Sequence, residues 1–93
     1  MLHHRLQPTA TEYDFAGLRG AVESALVTPE RELSVDLDAV GFLDAGVIRE
    51  LIRGLRKLRD KGGNMHVEAT RPAVLAGLRV TGLDRVFRTR VAA

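Results

Sequence analysis

Between Leu33 and Glu68 the hydrophobic period switches from two residues to 3.6 and back, and this switch constrains the fold more than any other feature. Leu33, Val35 and Leu37 alternate with Ser34 and Asp36, the pattern of a strand with one apolar face. Val47, Ile48, Leu51, Ile52, Leu55 and Leu58 then recur at i, i+1, i+4, i+5, i+8 and i+11, a single stripe along a helix. Arg49, Arg53, Arg56, Lys57 and Arg59 lie mostly off that stripe. Gly62-Gly63 supplies the left-handed residue that stops such a helix. Met65-His66-Val67-Glu68 reads as the next strand. Alternation of this kind implies an α/β layer structure with a largely parallel sheet.

The flanking segments extend the same order. Leu2 to Leu6 form a weak first strand, interrupted by His3, His4 and Arg5 and ended by Pro8. Thr11-Glu12-Tyr13-Asp14 has the capping-box form, and Phe15, Leu18, Val22 and Ala25 or Leu26 follow at helical spacing. The first helix is therefore expected from Glu12 to Leu26. Val40, Phe42 and Leu43 lead into Asp44-Ala45-Gly46, a strand-to-helix junction. Pro72 suits the first turn of a third helix, with Val74, Leu75 and Leu78 facing inward and Gly82 stopping it. Leu83, Val86 and Phe87 read as a last short strand, and residues 89–93 as a frayed tail. The expected fold is α/β, with about four strands in a mostly parallel or mixed sheet. Three helices lie largely on one face, and the connections are right-handed. Residues 1–93 read as a single domain, of which 1–10 hold the weak, shortened first strand.

Composition narrows the function. Ninety-three residues with 45% hydrophobic and 28% charged side chains suit one globular core. The chain has no cysteine, which excludes a thiol nucleophile, a disulfide and a cysteine-ligated metal. No run approaches the roughly 18 apolar residues of a membrane helix, and MLHHRLQP lacks the apolar centre of a signal peptide. Cytoplasmic location without membrane insertion is the expectation. The pI of about 9.7 overstates the charge, because acids and bases nearly balance at a net +2.

The stretch from Leu33 to Phe87 resembles the STAS domain (sulfate transporter and anti-sigma factor antagonist), above all the bacterial anti-sigma factor antagonists. The resemblance rests on residues in order: the LSVDL strand, Val40-Gly41-Phe42-Leu43 leading to Asp44, and the long helix ending in Lys61-Gly62-Gly63. A strand, Arg71-Pro72-Ala73-Val74, Val80-Thr81-Gly82-Leu83 and Val86-Phe87 complete it. Members with a phosphorylation switch carry Asp-Ser-Ser-Gly or Asp-Ser/Thr-x-Gly at this helix start. Here the residues are Asp44-Ala45-Gly46-Val47, so the position of the phosphorylated hydroxyl falls on Ala45. The Gly-x-Leu-Asp turn of antagonists is replaced by Pro8-Thr9-Ala10-Thr11.

The resemblance implies a protein-binding regulatory module and no enzyme. Its partner would be an anti-sigma factor of the ATP-binding kinase type, whose capture releases a sigma factor. The implied contact surface is Asp44, Ala45, Gly46 and Val47, the exposed flank of Arg49 and Glu50, and the Thr9–Thr11 turn. The physical basis is the helix N-terminus, whose unpaired N–H groups and positive dipole end attract anions. Asp44 as a plain N-cap, worth about 1 kcal/mol, is the structural alternative. A small structural STAS subunit of a lipid-transport ATPase complex is the second functional reading, since it needs no phosphorylatable serine. A homodimer paired through an open sheet edge is the third.

Other chemistries find less support. The helix arginines are interrupted by Glu50 and Asp60, and one tyrosine with three phenylalanines offers few rings for base stacking, so nucleic-acid binding is not expected. His3, His4 and His66 have no carboxylate placed to complete a metal site. There is no nucleophile elbow, and no glycine-rich phosphate loop with lysine, so neither catalysis nor a cofactor is expected.

Overall fold

The computed structural model describes residues 1–7, 15–41 and 43–91. Along the chain run β1 (Leu2–Arg5), α1 (Phe15–Leu26), β2 (Glu32–Asp36), α2 (Ala45–Asp60), β3 (Asn64–Ala69), α3 (Pro72–Val80), α4 (Leu83–Val86) and β4 (Arg88–Val91). The strands form one sheet in the order β1-β2-β3-β4, and every pairing is parallel. The α/β fold expected from the alternating periods is therefore present, with a sheet wholly parallel and not mixed.

Each strand lies beside its predecessor in the chain, so every crossover steps in the same direction. Crossovers of the nearly universal right hand then place all the helices on one face of the sheet. Burial follows that geometry. Leu33 and Val35 of β2 and Met65 and Val67 of β3, alternate residues on the helix side, are 0% exposed. The other face carries His3 and Arg5 of β1, Glu32, Ser34 and Asp36 of β2, and His66 and Glu68 of β3. Cross-strand polar pairs tie it together. Arg5 donates to Asp36 Oδ2 at 2.8 Å, Ser34 Oγ to Glu68 Oε1 at 3.0 Å, and His66 Nε2 lies 2.7 Å from Glu32 Oε1. His3 and His66 belong to this polar face while His4 shares the register of the apolar one, so the three histidines do not converge.

The C-terminal region departs from the sequence reading. Leu83–Val86 is a short helix, and the last strand lies at Arg88–Val91, largely within the segment read as tail. The four-residue spacing of Leu83 and Phe87 is as helical as it is strand-like. Gly82, at φ +75°, restarts the chain, Phe87 N–H donates to Leu83 C=O at 2.9 Å, and both side chains enter the core. The expected capping box at Thr11–Asp14, and the first three residues expected of the first helix, lie outside the described residues.

α2 ends as its glycine pair predicts. Gly62 adopts φ +82°, its N–H donates to Arg59 C=O at 3.0 Å, and Gly63 N–H reaches back to Leu58 C=O at 2.8 Å. These are the two bonds of a Schellman motif, which satisfy carbonyls that the helix end leaves free. Among the described residues no helix is long and apolar enough to cross a membrane.

Candidate functional site

The segment from Leu37 to Asp44 leaves the C-terminal end of β2 and delivers the chain to α2. It is held at two points. Val40 is fully buried, and Asp38 Oδ1 accepts from the Thr70 amide at 2.7 Å and the Thr70 hydroxyl at 2.8 Å, joining the ends of β2 and β3. The Thr70 hydroxyl, then its amide, holds the Asp38 carboxyl below the usual carboxylate range. Leu43 packs on α3, where a methyl at Gly77 would lie 3.4 Å from it.

Asp44 is the N-cap of α2. Its backbone is extended, and Oδ1 accepts from Val47 N–H at 2.8 Å, which satisfies one of the free donors of the first turn. A β-carbon on Gly46 would stand 3.2 Å from Asp44 Oδ1, so glycine leaves room for the capping carboxylate, while the Phe15 ring at 3.7 Å would be in ordinary contact with it. Ala45 and Arg49 are exposed, while Asp44 and Gly46 are half-buried.

Two residues expected at this surface point elsewhere. Val47 is 0% exposed and belongs to the core. Glu50 is not part of an exposed flank. It is 8% exposed and takes a two-pronged bond from Arg19 of α1, Nη2 to Oε1 at 2.6 Å and Nε to Oε2 at 3.1 Å. The side of α2 that looks outward at Glu50 is the side α1 covers. Both residues thus position the helix start without presenting themselves to a partner. Thr9 and Thr11 lie outside the described residues.

The hydrogen bond from Arg19, against a smaller opposing effect of burial, keeps the Glu50 carboxyl below the usual range, and Arg53 and Arg49 add to it. A carboxyl depressed in the folded state stabilises the fold above its unfolded value, near pH 4.3, and loses that contribution as pH falls through the folded value. Glu50→Gln removes the charge at every pH. Thermal melts of the two proteins should therefore differ at pH 7, and the gap should narrow as pH falls from about 5 through the depressed folded value and Glu50 is protonated. A gap unchanged over that range would show that the Arg19 pair adds nothing to stability.

Reasoning from sequence missed the outer surface of α2. Ile48 and Ile52 belong to the apolar stripe and pack against the core from its edge, yet they stay half-buried next to exposed Arg49, Arg53 and Arg56. The signal was present in the doublets Val47-Ile48 and Leu51-Ile52. They widen the stripe past what one sheet face covers.

These features form a capped helix start, exposed at Ala45 and continuous with a partly apolar, basic helix surface. They hold nothing that resembles a nucleophile with its base. A family model described as Mlab, STAS domain matches residues 5–89. No curated protein and no solved structure matches the chain. Since the family match spans nearly all of the sequence and the fold agrees with it, the chain belongs to the STAS domain family.

Proposed function

We propose that this STAS domain is a protein-docking module of the anti-sigma factor antagonist kind, which binds an ATP-binding anti-sigma factor kinase through the start of α2. The observation that supports the reading is the exposed Ala45 beside its capping Asp44, at the position where the switchable members it resembles carry a phosphorylatable hydroxyl. Asp44, Ala45, Gly46 and Arg49 would supply the contact, and Val47 and Glu50 would hold the turn in place from within. With alanine there, phosphorylation cannot end the interaction, so the module stays in its binding state.

Titration calorimetry against the anti-sigma kinases of the same organism tests this. The unaltered protein should bind one of them, and Ala45→Glu should weaken that binding by about a hundredfold or more. A carboxylate desolvated in a fitted interface without a partner costs several kcal/mol, and 2.7 kcal/mol is already a hundredfold. The fold should not suffer, since an acid in the first turn of a helix is favourable.

A second reading has its own support. The matching family model carries the description Mlab, and Ala45 suits a subunit that needs no switch. Under it the domain is a small structural STAS subunit of a lipid-transport ATPase complex, and it should co-purify with that ATPase. Binding to no anti-sigma kinase, together with co-purification, would decide for this subunit.

A further inference from the structure

Two shallow depressions lie side by side on the outer surface of α2. The first is walled by Ala45, Ile48, Arg49, Ile52, Arg56 and Asp60. The second lies in the seam between α1 and α2, lined by Leu18, Val22 and Gly54 together with Arg19 and Glu50. Arg53 and Lys57 line both, so they form the ridge between them.

Charge on this surface is unbalanced. Arg49, Arg53 and Arg56 are exposed and make no hydrogen bond or ion pair among the described residues. Lys57 meets Glu23 at 3.2 Å, but both ends are more than half exposed, 55% and 62%, and such a pair is worth little. Of the two carboxylates at these depressions, Glu50 is already taken by Arg19 and exposed Asp60 stands at the C-terminal end of α2, so cations remain in excess. Between the cations sit Ile48 and Ile52, one turn apart and half-buried. A second copy of this face would bring cation against cation. A nucleic-acid backbone would find the charges but would leave the isoleucines unused, and no aromatic side chain lines either depression for a base to stack on.

We propose that this face docks an acidic amphipathic helix of the partner protein. Apolar side chains one turn apart on that helix cover Ile48 and Ile52, the spacing of helix-in-groove recognition, and its carboxylates meet Arg49, Arg53 and Arg56. The proposal deepens the docking reading above and rests on it for the existence of a protein partner.

The probe is a synthetic helical peptide of glutamate, alanine and leucine, with leucines at i, i+4, i+7 and i+11, titrated into ¹⁵N-labelled protein. Saturable shifts confined to the amides of residues 45–60 are expected. The affinity should fall about tenfold between 50 and 300 mM NaCl, because exposed charges carry the attraction. The pair Arg53→Glu and Arg56→Glu should lower it by about tenfold or more, with the sheet amides unmoved. Absence of shifts overturns the proposal, as do equal shifts with a scrambled or lysine-substituted peptide. A stronger response to a single-stranded RNA or to phosphatidylglycerol vesicles overturns it too. The docking reading is judged separately, with the anti-sigma kinase or the transport ATPase itself. Partner binding lost in Ala45→Glu but kept in the double arginine variant sinks the acidic-helix proposal and leaves that reading standing. Peptide docking without binding of either ATP-binding protein supports the acidic-helix site and overturns the docking reading.

Discussion

Replacing Gly63 by alanine is expected to lower the melting temperature by about 15 °C or more, out of proportion to one added methyl group. Gly63 is the last of the three residues between the end of α2 and the start of β3, and it lies directly against the turn that precedes β2. A β-carbon there would land on the Arg31 carbonyl oxygen and stand 2.7 Å from Arg31 Cβ and 2.8 Å from its carbonyl carbon. The oxygen and the carbonyl carbon are backbone atoms, and they are braced. Arg31 adopts φ +52°, its N–H donates to Thr28 Oγ1 at 3.1 Å, and its C=O accepts from Asn64 N–H at 3.1 Å. Moving Arg31 aside breaks that bond next to the first β2–β3 pair, Glu32 with Asn64. Overpacking of a well-filled site typically costs 1–3 kcal/mol, and a site walled by fixed backbone belongs at the upper end. Gly62→Ala makes the matched control. No atom lies within 4 Å of its added carbon, and the penalty there comes from φ +82° alone, about 1 kcal/mol or roughly 5 °C. Thermal melts of the two variants separate space from conformation at adjacent residues. Equal losses would mean that the Arg31 contact is looser than the packing shows.

The contrast between those glycines also marks where sequence ceases to be informative. Gly62 was legible because a left-handed C-terminal residue is a local requirement of the helix that precedes it. The same holds for Asp44 as N-cap, Pro72 in the first turn of α3, and the alternation of β2 and β3. The role of Gly63 was not legible, since its neighbour Arg31 is distant in the chain and is met only once β2 and β3 pair. Glu50 is a similar case. A charged residue beside Leu51 reads as solvated flank until α1 is seen to bring Arg19 across it. At the C-terminus the local signal itself was ambiguous. Leu83, Val86 and Phe87 satisfy a short strand and a short helix equally, and burial of Leu83 with Phe87 decided for the helix. For the candidate site, the start of α2 was legible down to its capping side chain. Its outer face was not, because whether Ile48 and Ile52 end up covered depends on how far the neighbouring elements reach.

Neighbouring residues of β2 give the other large expected effect, because they are equally deep and lie on opposite faces. Val35 is 0% exposed and Ser34 is 2% exposed. Val35→Asp should leave the chain unfolded at pH 7. The carboxylate would stand between His4 and Val67 in register, on the side where the helices seal the sheet. Even after relaxation, a buried unpaired charge costs several kcal/mol, and the lost burial of valine adds about 1.5 kcal/mol or more. Together these approach the 5–15 kcal/mol that hold a domain of this size. Ser34→Asp should remain folded with a loss of about 2–3 kcal/mol, since its bond to Glu68 is exchanged for a contact between two carboxylates. Its register neighbours are polar, His3 and His66, the latter already beside Glu32, and His3 is exposed to water. Circular dichroism and urea melts distinguish the outcomes. An unfolded Ser34→Asp would mean that something encloses the polar face, contrary to crossovers that place every helix on the other side. A folded Val35→Asp would mean that water reaches the helix-covered face, which four parallel strands with one apolar side cannot sustain.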